Sequence, residues 1–243
     1  MTLVLTMAGK YKRFRDFSYQ IPKYLLPLSN RSILYFILDS FNIPLNFNRV
    51  LLVANNRDIR FISQIKSILN EFECKDSEVI FISDTRGQSE TALKSLEYIS
   101  GKSADDSVTI HNIDTILLNR DYSKLKKDLS ETDCLIDTFY SNNSSYSYVL
   151  SENNSVQEII EKQKISDKAS SGCYSFSSLK QTIYYLKKSK NFYISDSISA
   201  MIKDGKNVSL INNADENSTF VLGTPEEYIN SMAYFDLIRG LRK

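Results

Sequence analysis

Two apolar runs in this sequence stop at residues that could handle phosphate. Residues 3–8 (LVLTMA) run straight into Gly9, and the cations Lys10, Lys12 and Arg13 follow at once, with Lys23 behind Pro22. A buried strand that ends in a small-residue turn and delivers cations there is how α/β folds hold the phosphates of a nucleotide. The second run, 107–112, ends in His111-Asn112-Ile113-Asp114. A carboxylate at the end of such a strand offers hard oxygen to a divalent cation that bridges phosphate oxygens. His111 is the sole histidine and has no Ser or Cys partner arrangement around it, so it is given no role. With no Ser–His or Cys–His pair, the chemistry legible here is positioning and charge neutralisation rather than attack by a protein nucleophile.

These residues need elements to carry them. The pattern predicts a buried strand over 2–6 and a helix over 33–41 with Ser32 as N-cap. A strand over 49–54, a helix over 58–72, a strand over 78–82, a helix over 90–99 and a strand over 107–112 follow. That alternation predicts a parallel sheet wrapped by helices. Beyond residue 130 the texture changes, with strands over 134–140, 146–150, 156–161 and 172–176 separated by Asn/Ser turns, so this half is partly antiparallel. Helices over 179–189 and 195–203 and short strands over 208–211 and 219–222 come next. Thr224-Pro225-Glu226-Glu227 then opens a last helix with an N-cap, a proline at the first helical position and a capping box. The expectation is one α/β domain over 1–243, with a nucleotide-binding half (1–130) and an acceptor-binding half (131–243).

Composition narrows the partners. In 243 residues the net charge is +1, so no global field draws the chain to nucleic acid or to a membrane surface, and an anion site must be local. Cys74, Cys134 and Cys173 are widely spaced, which argues against a disulfide framework or a zinc site and fits a reducing cytoplasm. No run approaches a membrane span, and residues 3–8 are too short for a signal-peptide core. There are only seven glycines, and Gly9, Gly87, Gly172 and Gly223 fall at predicted strand–turn junctions, where backbone reasons call for them.

Several motifs in order carry a family resemblance: Met7-Ala8-Gly9-x-x-x-Arg13-Phe14, Ile21-Pro22-Lys23, Gly87-Gln88-Ser89-Glu90, Asn112-Ile113-Asp114, Glu161-Lys162 with Gly172-Cys173-Tyr174-Ser175-Phe176, and Gly223-Thr224-Pro225. The chain resembles the sugar-phosphate nucleotidyltransferases (nucleoside-diphosphate-sugar pyrophosphorylases), and most closely small members found in bacterial capsule and surface-polysaccharide loci. The resemblance implies a Rossmann-like, glycosyltransferase-A type three-layer fold on a mostly parallel mixed sheet. It implies that Ala8, Gly9 and Tyr11 line the triphosphate, that Arg13 and Lys23 serve catalysis through the phosphates, and that Gly87 and Gln88 hold the nucleobase. It further implies Mg²⁺ on Asp114, and an acceptor held by Glu161, Lys162 and Gly172.

The implied reaction joins an NTP to a phosphorylated acceptor, a sugar 1-phosphate first and phosphocholine or a similar amino-alcohol phosphate next, with release of pyrophosphate. A glycosyltransferase on the same fold is disfavoured because no D-x-D is present. Two departures keep a degenerate nucleotide- or sugar-binding relative in view. Tyr11 replaces the second glycine of G-x-G, where it could crowd the loop, stack on a ligand or mark lost activity. Val221 stands where many members carry a second metal-binding aspartate, leaving Asp196 and Asp215 as stand-ins.

Overall fold

The structure is a computed structural model, and it describes residues 1–101, 107–189, 191–211 and 218–240. In chain order the first part runs β1 (Thr2–Met7), α1 (Lys12–Asp16), a 3-10 turn at Lys23–Leu25, β2 (Pro27–Leu28), β3 (Arg31–Ser32), α2 (Ile33–Ser40) and α3 (Ile43–Asn46). Next come β4 (Arg49–Asn55), a 3-10 segment at Asn56–Phe61, α4 (Ile62–Asn70), β5 (Asp76–Ile82), α5 (Gln88–Ile99), β6 (Val108–Asn112), β7 (Thr115–Leu117) and α6 (Leu125–Asp128). The second part contains β8 (Cys134–Tyr140), β9 (Ser147–Glu152), β10 (Ser155–Glu161), β11 (Lys168–Phe176), α7 (Leu179–Lys188), α8 (Ile194–Lys203), β12 (Val208–Leu210), β13 (Thr219–Val221) and α9 (Pro225–Gly240).

Nine strands form one mixed sheet in the order β5-β4-β1-β6-β11-β8-β12-β10-β9. The β5-β4-β1-β6 side is parallel, as expected of buried strands joined by helical crossovers. β11 then enters antiparallel between β6 and β8, and beyond it only the β8–β12 pairing is parallel. β9 and β10 form a hairpin whose turn residues, Asn153 and Asn154, both have positive φ, which matches the twist of the flanking strands. α2, α4 and α9 pack on one face, around Leu5, Phe36, Leu52 and Phe235; α5, α7 and α8 pack on the other, around Val4, Leu96, Phe176 and Ile198. This is the expected three-layer α/β architecture.

The N-caps at Ser32 and Thr224 form as read. Ser32 Oγ accepts from Tyr35 N at 3.3 Å, and Thr224 Oγ1 accepts from Glu227 N at 3.1 Å. The expected helix over 58–72 is divided instead: Asn56–Phe61 is 3-10 and the α-helix starts at Ile62. The division buries Asp58 and leaves Ile59 58% exposed. Asp58 is turned inward because its carboxylate accepts hydrogen bonds from two tyrosines, described below.

Candidate active site

The carboxyl ends of β1 and β6 face a cleft of about 680 Å³. Its walls come from four places: the loop after β1, the 3-10 turn at Lys23, the start of α5, and the turns around Asp114 and Gly223. Gly9, Tyr11, Arg13, Lys23, Gly87, Gln88 and Asp114, all singled out from sequence, meet here. Ala8, buried at the end of β1, leads into the loop.

The loop is fastened at its far end by Phe14, which is buried and packs edge-on to Tyr19, with ring centroids 5.4 Å apart. That anchorage leaves Arg13 exposed on the cleft wall. Lys10, next to Gly9, lies 3.5 Å from Asp84. Asp84 also accepts from Asn55 and Arg57, and these bonds, Asn55's first, hold its carboxyl below the usual carboxylate range.

Lys23 is only 7% exposed, and its ammonium makes an ion pair with Asp114. A buried ammonium without a counter-ion would be costly, so this contact fixes the lysine at the cleft floor. Two backbone hydrogen bonds hold Asp114: its N–H donates to Asn112 Oδ1 at 3.2 Å, and its carbonyl accepts from Leu222 N at 2.6 Å. A Cβ on Gly223 would come within 3.7 Å of Asp114 Oδ2 and 3.3 Å of Glu227 Oε2, so two carboxylates flank that glycine. Tyr146 Oη donates to Glu227 Oε1 at 3.2 Å.

Gly172, expected at the acceptor, lies behind this group. Its φ is +83°, and a Cβ there would sit 2.0 Å from Asn112 Nδ2. The register of β11 against β8 shifts between Ser170 and Tyr174, around this residue, which makes room for the Asn112 amide. His111, one residue earlier, is fully buried; its Nε2 lies 2.8 Å from the Thr115 carbonyl, and burial pulls its pKa down to about 4. The imidazole is therefore a neutral packing element.

Gly87 also answers to a close approach, since a Cβ there would meet Phe192 O at 2.6 Å. The Phe192 carbonyl accepts from Ser89 N at 3.0 Å, and Arg86 lies 3.9 Å over the Phe192 ring. Glu90 accepts from the Arg86 backbone and side chain, and this holds its carboxyl down at about 2. Gln88 reaches back to Thr6 Oγ1 at 3.4 Å.

Glu161 and Lys162 line a second cleft of about 680 Å³ between β10 and α8. The Glu161 carboxylate accepts from Ser147 Oγ and, at 3.0 Å, from Ser195 Oγ. Lys162 Nζ donates to Tyr193 Oη at 2.6 Å, and this hydrogen bond raises its pKa. Asp196 lines the second cleft and not the first, and Asp215 lies outside the described residues.

Asn112, Asp84 and Glu227 were not assigned site roles from sequence. Asp84 follows the carboxyl end of a parallel strand, a legible signal; Glu227 was absorbed by its capping-box spacing. Among the described residues no group of three His, Cys, Asp or Glu side chains could hold a metal. A Mg²⁺ held by one or two carboxylates together with substrate phosphates needs no such group.

The family model for nucleotidyl transferases matches residues 2–233, nearly the whole sequence. The chain belongs to the nucleotidyl transferase family. Solved structures share its fold. A nucleoside-diphosphate-sugar pyrophosphorylase from Vibrio cholerae superposes with a TM-score of 0.81 at 23% identity, over 95% of this chain and 99% of that one. A UDP-glucose pyrophosphorylase complexed with UDP-glucose gives 0.76 at 16% identity, over 97% and 98%. The UTP-bound enzyme of that type from Acinetobacter baumannii gives 0.75 at 16% identity, over 98% and 93%. No curated protein sequence matches the chain significantly. Among the described residues no helix is long and apolar enough to cross a membrane.

Proposed function

We propose that this nucleotidyltransferase joins an NTP to a sugar 1-phosphate and releases pyrophosphate. The observation that carries the reading is the Lys23–Asp114 pair at the floor of a cleft walled by the small-residue loop and the start of α5. An acceptor phosphate oxygen attacks the α-phosphorus, and the bond to the departing pyrophosphate breaks. Arg13 neutralises the β- and γ-phosphates, and the Lys23 ammonium, held at the cleft floor by Asp114, supplies a point charge to the phosphates in transit. The loop at Ala8, Gly9 and Tyr11 borders the triphosphate, and Gly87 and Gln88 border the base. Glu161 and Lys162 face the acceptor from the second cleft, and Gly172 acts through Asn112. UTP and UDP-glucose in the similar structures support a uridine nucleotide and a glucose-type acceptor. The likeness to capsule-locus members supports a product used for surface polysaccharide.

Asp114 would hold Mg²⁺, which supplies charge neutralisation of the phosphates when bound. The donor fits, because Asp114 presents hard carboxylate oxygen on the cleft wall and Glu227 stands across Gly223 as a second such group.

A pyrophosphate-release assay over the four NTPs, with glucose 1-phosphate and phosphocholine as acceptors, tests the reading. Asp114→Ala and Lys23→Ala should each lower turnover by about 100-fold or more, the scale of losing a main charge partner of the transition state. Near-normal turnover in either variant, or no pyrophosphate from any pair, would sink it.

A further inference from the structure

Tyr11 has φ 42° and ψ 36°, a left-handed backbone that glycine reaches freely and a tyrosine reaches only when something holds it there. The Tyr11 side chain is tied down. Tyr11 Oη lies 2.6 Å from the Met7 carbonyl and 2.7 Å from Asp58 Oδ2. Tyr24 Oη donates to the same carboxylate oxygen at 3.0 Å, and the two rings meet edge-on at 5.9 Å. Asp58 is only 4% exposed. Burial first, and the neighbouring tyrosine and carboxylate after it, push the Tyr11 phenol well above its usual range, so it remains a donor.

One buried oxygen thus ties together three segments: the loop after β1, the 3-10 turn of Lys23, and the 3-10 segment after β4. Arg13 lies two residues beyond Tyr11, and Lys23 immediately precedes Tyr24. Both proposed phosphate cations are therefore mounted on tyrosines fastened to Asp58.

We propose that Tyr11 and Asp58 are positioning residues that hold the phosphate loop ordered before nucleotide binds, replacing by hydrogen bonding the conformational freedom of the glycine that Tyr11 displaces. A loop ordered in advance spares its ordering cost at binding, so the benefit falls on nucleotide rather than on acceptor. Its catalytic consequence rests on the nucleotidyl-transfer reading; the order of the loop does not.

The test compares the full-length protein with Tyr11→Phe, Asp58→Asn and Tyr11→Gly. Amide hydrogen exchange without nucleotide reads loop order. Tyr11→Phe and Asp58→Asn should speed exchange in peptides covering 8–16 by about tenfold while peptides from β11 and α7 keep wild-type protection. The KM for the NTP should rise about tenfold relative to the KM for the acceptor phosphate. Tyr11→Gly, which relieves the backbone but removes the ring and its hydroxyl, should speed loop exchange at least as much as Tyr11→Phe. Wild-type exchange over 8–16 in both Tyr11→Phe and Asp58→Asn would overturn the proposal. So would acceleration spread evenly over the chain, or equal rises in both KM values. If the wild-type protein turns over no NTP, the activity reading fails and exchange still decides the role of the two residues.

Discussion

Gly172 shows how much can rest on a missing side chain. Its positive φ and the 2.0 Å approach of Asn112 Nδ2 leave no space for a methyl group. Asn112 in turn caps the Asp114 N–H, so the glycine bears on the carboxylate without touching it. Gly172→Ala should therefore displace the Asn112 amide, cost roughly 1–3 kcal/mol of stability, and lower pyrophosphate release by at least about tenfold. Thermal unfolding and the release assay check both effects, and an alanine variant with wild-type turnover would refute the link. The motif around Gly172 is legible in sequence, but its neighbour is not. Residues 112 and 172 are brought together by the antiparallel pairing of β11 on β6, which local pattern does not encode. Tyr11 makes the same point, because its contact with Asp58 spans 47 positions.

At the scale of elements, β7 and β13 form a small two-stranded sheet beside the cleft, and β13 leads into Gly223. A buried ion pair fastens it to the main sheet. Arg120 Nε lies 3.0 Å from Asp137 on β8, with both side chains fully buried. The guanidinium also donates to Ser218 Oγ and Thr219 Oγ1, each at 2.6 Å. Removing one partner of such a pair strands the other charge, so Arg120→Ala should destabilise the fold by about 3–5 kcal/mol. Urea unfolding measures the loss, and a change below about 1 kcal/mol, the worth of an exposed pair, would show that the network is dispensable. Apolar runs revealed most strands, because strands buried on both faces need them. The 3-10 segment Asn56–Phe61 escaped the helical reading because its course follows Asp58, a single buried polar contact that periodicity does not register.

For the whole molecule, both apolar layers draw on both halves of the chain. Val4, Leu51 and Ile110 share one cluster with Tyr174, Leu186 and Ile198; Leu5, Phe36 and Leu52 share the other with Tyr228 and Phe235. β6 pairs with β1 on one side and β11 on the other. A fragment of residues 1–130 would expose the β11 edge of β6 and uncover α5, so it should not fold alone. Circular dichroism and exchange on that fragment check this, and a cooperative unfolding transition in it would show two independent domains.

Composition, strand–helix alternation and the ordered motifs were enough to read the α/β class, the end of the sheet that carries the cleft and most of the residues that gather there. These features depend on neighbours close in sequence. The pairing of Lys23 with Asp114, the retreat of Gly172 behind Asn112, the separate cleft of Glu161 and Lys162 and the anchorage of Tyr11 on Asp58 came from folding. Each is a contact between distant segments, chosen by burial and by the cost of leaving a polar group unpaired inside the protein.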